Sequence, residues 1–93
     1  MTVKRTEGKA GKWIAIEKAL PNTTDAVMIY IEFPNKESIV AFAKLKRDFW
    51  QVTALSENND FLSRNGEPVD LSDDTVQDEL NRFVRYWQRI ERP

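Results

Sequence analysis

The apolar pattern of the last twenty residues constrains the fold most strongly, because it repeats at the spacing of one helix face. At about 100° per residue, the apolar side chains fall on one arc and the arginines on the other. Ser72 is a suitable N-cap, and acidic residues follow it where they favour the positive end of a helix dipole. The sequence therefore predicts an amphipathic C-terminal helix. Its apolar stripe is Val76, Leu80, Phe83, Val84, Trp87 and Ile90, and its arginine line is Arg82, Arg85, Arg89 and Arg92.

An earlier helix is predicted directly after the clearest strand. Residues 26–33 alternate in β-branched and aromatic side chains and predict a strand, which Pro34 ends. Asn35 is a suitable N-cap for a helix of about three turns through residue 47. The apolar residues that recur there at helical spacing are Ile39, Phe42, Ala43 and Phe49. We expect this helix to cover the sheet and to bury both Phe49 and Trp50.

The other segments complete an α+β prediction. Residues 12–20 fit a strand or a helix, and the loop after them favours a strand. Residues 50–55 read as a further strand, and Asn65-Gly66 is typical of a two-residue hairpin turn. The predicted order is β-β-α-β-β-α, an antiparallel sheet of three to five strands with two helices on one face. Residues 12–93 are expected to form this single α+β domain, preceded by a flexible basic tail at residues 1–11.

Composition removes most catalytic chemistry. The 93 residues include no cysteine and no histidine, so thiolate and imidazole sites are absent from the chain. The three glycines form no phosphate loop, and no calcium-loop pattern occurs. We therefore expect no enzymatic activity, no cofactor and no bound metal. The polar start and the lack of a long apolar run predict a cytoplasmic protein without a membrane segment.

Charge is unevenly distributed along the chain. Residues 1–50 carry a net charge of +3 and residues 51–93 a net charge of −4. Residues 57–79 form the most acidic stretch, which we call the acidic block. Part of it belongs to the first turn of the predicted helix, and solvated loops account for the rest. The acids considered as a binding surface are Asp70, Asp73, Asp74 and Asp78.

These features predict a small non-catalytic binding module with a protein partner. It would act as an inhibitor or adaptor that presents its acidic surface to a basic groove. The alternative is nucleic-acid binding through the basic tail, the first helix and the arginine line, with Tyr86 placed to stack on a base. The net charge of −1 and the pI near 5.4 argue against that alternative, and a solvated helix face also explains the arginines. The cations of the tail and first helix are Lys4, Arg5, Lys9, Lys12, Lys44, Lys46 and Arg47. A homo-oligomer is compatible with the sequence.

Overall fold

Strands dominate the computed structural model, which describes residues 4–56 and 67–90. The short strands are β1 (Arg5–Thr6), β2 (Ile14–Ala15) and β3 (Leu20–Pro21). The long ones are β4 (Val27–Glu32), β5 (Ser38–Lys46) and β6 (Phe49–Leu55). The remaining elements of the described residues are one helix, α1 (Asp74–Arg82), and the final strand, β7 (Val84–Gln88). No helix in this part of the chain is long and apolar enough to cross a membrane.

The sheet has five strands in the order β2-β7-β4-β5-β6, and every neighbouring pair is antiparallel. β4, β5 and β6 form consecutive hairpins, whereas β7 returns from α1 to lie on the other side of β4. β1 and β3 pair separately and in parallel. The last strand, β7, therefore lies between β2 and β4, and β6 is at one edge of the sheet.

One face of this sheet forms the hydrophobic core. Inward residues alternate along β4 and β5, as expected for strands with one covered face. α1 contributes Leu80 to the same core, and Trp87 of β7 is fully buried there, as the sequence predicts. The indole nitrogen of Trp87 donates a hydrogen bond to the carbonyl of Ala19 at 2.9 Å. The sheet residues of the core are Val27, Ile29, Ile31, Ile39, Ala41, Ala43, Leu45, Trp50, Val52, Val84 and Trp87.

The helix predicted from the Asn35 cap through residue 47 is wrong, because Ser38–Lys46 form β5. Its side chains alternate between buried and outward positions, and the segment pairs with strands on both sides. Asn35, expected to cap a helix, instead accepts a hydrogen bond from the Glu37 amide in the turn between β4 and β5. The prediction of two helices on one face of the sheet is therefore wrong. Phe49 is 39% exposed, so its predicted burial beneath that helix is also wrong.

The predicted C-terminal helix exists only in its first half. α1 ends at Arg82, and Val84 begins a strand that pairs with β4. The register shifts between Tyr30 and Ile31, so that Tyr86 lies opposite the first and Val84 opposite the second. This bulge gives the core-facing residues of β7 a spacing of three, which is also the spacing of a helix face. The apolar stripe therefore belongs to two different elements.

The start of α1 differs by one residue from the prediction. Asp73, rather than Ser72, is the N-cap, and its carboxylate accepts a hydrogen bond from the amide of Thr75 at 2.8 Å. Ser72 donates its hydroxyl and its amide to the carboxylate of Asp70. The two predicted site residues Asp70 and Asp73 thus order the chain that leads into the helix.

Two amide side chains of α1 seal the free edge of β6. Gln77 accepts from the amide of Val52 and donates to its carbonyl, both at 2.9 Å. One turn later, Asn81 makes the same pair of bonds with the backbone of Trp50, at 2.6 and 2.7 Å. The two side chains occupy the positions that a neighbouring strand would take, so this part of the edge is not open to another chain.

Residues 4–11 make specific contacts with the domain. β1 pairs with β3, and the amide of Gly11 donates to the side chain of Gln88. Gly8 has a φ of +69°, and a Cβ there would lie 2.6 Å from the indole ring of Trp87. The flexible tail predicted for residues 1–11 remains a prediction, which truncation or substitution can test.

Candidate functional site: the open face of the sheet

The outward face of the sheet carries apolar and aromatic side chains where a solvated face would carry polar ones. We call this surface the open face. Along β4 and β5, Met28, Tyr30, Val40 and Phe42 point outward, between the buried core positions. Phe42 is 36% exposed. No element within residues 4–56 and 67–90 covers these side chains enough to bury them. An exposed apolar face of this kind marks a site of interaction in a small protein.

Three rings form the centre of the open face. Tyr30 and Tyr86 lie on paired residues of β4 and β7, so their side chains share a face, and Tyr86 also pairs with Ala15 of β2. Trp13 lies two residues before Ala15 and therefore points to the same side. The ring centroids of Trp13 and Tyr30 are 5.8 Å apart, and those of Tyr30 and Tyr86 are 5.9 Å apart. The outer rings remain 39% and 40% exposed.

Shallow depressions surround this cluster. One of about 260 Å³ lies directly on it and is lined by Trp13, Tyr30, Glu32 and Tyr86. A second, of about 460 Å³, extends from Tyr30 past Glu32 to Arg85 at the bulge of β7. The two depressions share Tyr30 and Glu32 in their lining, so the ring cluster and the charged residues beside it form one surface. They are open and shallow, which suits an extended partner better than an enclosed small molecule.

Cations lie at both ends of the open face. Lys44 and Lys46 follow Phe42 at alternate positions of β5, so they point outward with it. Arg85 is exposed at the opposite end, beside Tyr30 and Tyr86. Among outward residues of the five strands described, Glu32 is the acid that accompanies them. The sheet therefore brings together cations and rings that are far apart in the sequence.

The arginine line does not form one surface. Arg82 is exposed in the last turn of α1, whereas Arg85 belongs to β7. Arg89 follows that strand and donates from Nε to the carbonyl of Glu7, so it holds the N-terminal segment. Arg92 lies outside the described residues. Of the four, Arg85 is the one that lines the depressions around the open face.

The acidic candidates lie at and before the helix. Asp70, Asp73, Asp74 and Asp78 are all exposed; Asp73 caps α1, and Asp70 accepts hydrogen bonds from Ser72 in the turn before it. The hydroxyl of Ser72, followed by its backbone amide, holds the pKa of Asp70 below its ordinary value. Asp74 lies in the first turn of α1 and Asp78 one turn later. Residues 57–66 of the acidic block, with the predicted Asn65-Gly66 turn, lie outside the described residues.

The described residues offer little for catalysis. No three carboxylates converge there as a metal site would require. Asp70 is fully exposed in a loop, and its lowered pKa keeps it ionised, unlike a carboxyl group prepared for acid–base work. What the geometry offers is a surface for contact: rings, flexible apolar side chains and peripheral charges.

The fold and the open face define a small protein built on an antiparallel sheet, one face of which forms the core while the other is left open by the elements of residues 4–56 and 67–90. Comparison of the chain with protein-family models, curated proteins and solved structures gives no significant match. The sequence pattern pointed to Tyr86 as a stacking residue but not to Tyr30 or Phe42. The alternation of Met28, Tyr30, Val40 and Phe42 with more deeply buried residues is the signal that identifies them.

Proposed function

We propose that this chain is a non-catalytic binding module and that its working surface is the open face. The exposure of Trp13, Phe42 and Tyr86 on one side of a rigid sheet carries this proposal. Exposed aromatic side chains cost solvation free energy in the isolated protein, and a partner that covers them recovers it. Aromatic residues are also those on which binding energy most often concentrates.

The sheet is a suitable scaffold for such a surface. Tyr30 contacts both outer rings, and its own backbone is paired on both sides, with Val40 and with Tyr86. The rings are therefore held before a partner arrives, which lowers the entropy lost on binding. Asp73, Asp74, Asp78 and Arg82 cap or lie on α1 and are not required for this function.

Site-specific photo-crosslinking tests the proposal. Tyr86 is replaced by benzoylphenylalanine, which keeps an aromatic ring at that position, and the protein is irradiated in native extract. Asp78, exposed on α1, is replaced by the same residue as the matched control. We expect covalent adducts from position 86 and few from position 78. Adducts from position 78 alone would move the working surface to the acidic helix and overturn the proposal.

A further inference from the structure

We propose that the open face binds single-stranded nucleic acid. Bases would stack on Trp13 and Tyr86, and phosphates would contact Lys44, Lys46 and Arg85. This inference rests on the proposed function, because it names the partner of the same surface.

The aromatic cluster provides the stacking platform. Trp13 and Tyr86 both contact Tyr30, at centroid distances below 6 Å. The outer rings each expose about two fifths of their residue surface. The bases of a duplex are stacked on one another, whereas unpaired bases can lie on the exposed rings, and every base has a π-face for such contact. The geometry therefore favours a single strand over a duplex.

The distribution of charge supports a polyanion. Lys44 and Lys46 extend the face beyond Phe42, and Arg85 and Lys36 border it at the other end, where Glu17 and Glu32 also line the depressions. Cations therefore outnumber acids among these residues. A surface that tracks a phosphate backbone requires cations beside its stacking rings, and the open face supplies them at both ends. Among the described acids of the second half, Asp73 caps α1 and Asp74, Asp78 and Glu79 lie on it, and this helix packs on the core side through Leu80. The overall charge of −1 thus does not describe the open face.

An oligonucleotide titration tests the inference. The probe is fluorescein-labelled oligothymidylate of about eight nucleotides, within the range of known single-strand site sizes. Anisotropy measures binding, and unlabelled probe quenches tryptophan fluorescence through Trp13, because Trp50 and Trp87 are buried. We expect saturable binding, quenching of the exposed tryptophan, and weaker binding of a duplex of the same length.

Variants separate the stacking from the charge contribution. Tyr86→Ala should weaken binding about fivefold or more without loss of fold, because a stacked base is lost. Lys44→Gln with Lys46→Gln should reduce the log–log salt slope by about 1.4, which corresponds to two phosphates at about 0.7 each. Arg82→Gln removes an exposed cation from α1 and is the matched control. It should leave affinity and slope unchanged.

The outcomes distinguish the two proposals. Absence of binding, or binding that neither Tyr86→Ala nor salt weakens, overturns the nucleic-acid inference. If position 86 then crosslinks to a protein in nuclease-treated extract, the open face is still the working surface and its occupant is a protein. Without crosslinks as well, both proposals fail.

Discussion

Gln77 is a buried polar residue on which the attachment of α1 to the sheet depends. Its side chain is only 7% exposed and makes three hydrogen bonds, two with the backbone of Val52 and one with the carbonyl of Leu71. Methionine has a similar length and shape but can replace none of them. Gln77→Met therefore leaves one amide and two carbonyls of the backbone without these partners, at little change in volume.

The expected cost follows from those three bonds. At about 0.5 to 1.5 kcal/mol each, they contribute about 1.5 to 4.5 kcal/mol, and the greater hydrophobicity of methionine offsets part of this. We expect Gln77→Met to lower the free energy of unfolding by about 2 to 4 kcal/mol. For a domain of this size, that corresponds to a fall in Tm of roughly 10 to 25 °C.

Urea denaturation followed by circular dichroism measures this loss, with the m-value as a check on two-state unfolding. Asp78→Met, at the next and exposed position of α1, is the control and should change stability by less than about 0.5 kcal/mol. If the two substitutions lower the free energy of unfolding by equal and small amounts, the three hydrogen bonds of Gln77 do not stabilise the fold as argued.

The double variant Gln77→Met with Asn81→Leu should also associate in a concentration-dependent way, because it uncovers the edge of β6.

Three further predictions concern the core and the loops. Trp87→Ala should cost about 3 to 5 kcal/mol in urea denaturation, because the indole is fully buried, and a loss below 1 kcal/mol would contradict its place in the core. Gly8→Ala should cost about 2 to 4 kcal/mol, from its positive φ and its clash with that indole. Gly11→Ala, with positive φ but open space, should cost only about 1 to 2 kcal/mol, and equal losses would show that residues 4–11 do not pack as described. The folded state lowers the pKa of Asp70, so its stabilising effect is present above the unfolded pKa and is lost as pH falls through the folded value. NMR titration of the carboxyl carbon should show this pKa rising towards its ordinary value in Ser72→Ala, and an unchanged pKa would exclude the hydroxyl as its main cause.

Local pattern was sufficient for part of the fold. The alternation in residues 26–33 correctly predicts β4, and the strand expected at residues 50–55 is β6. A helix after Ser72 and the burial of Trp87 are also confirmed. In each case the apolar residues alternate or recur without a competing explanation, so periodicity alone predicts the element.

The two errors arise where tertiary structure changes the apparent period. In β5, Val40 and Phe42 are apolar although they point outward, and alanines occupy two inward positions, so the alternation is weak and helical spacing looks better. In β7, the bulge at Arg85 places Val84 and Trp87 three apart on the core side. Neither feature can be recognised without knowing which strand lies alongside.

The first error and the candidate site have the same origin. The outward apolar side chains that obscure β5 are those of the open face, so the surface proposed for binding also made the strand look like a helix. The distribution of charge also differs between the sequence and the folded sheet. Summed along the sequence, they separate a basic half from an acidic half, but the sheet places Arg85 of the acidic half on the same surface as Lys44 of the basic half. The acids near α1 belong to the other layer. A partner deduced from the net charge of each half would overlook this mixed surface, whereas the residues of the open face specify one that can be tested.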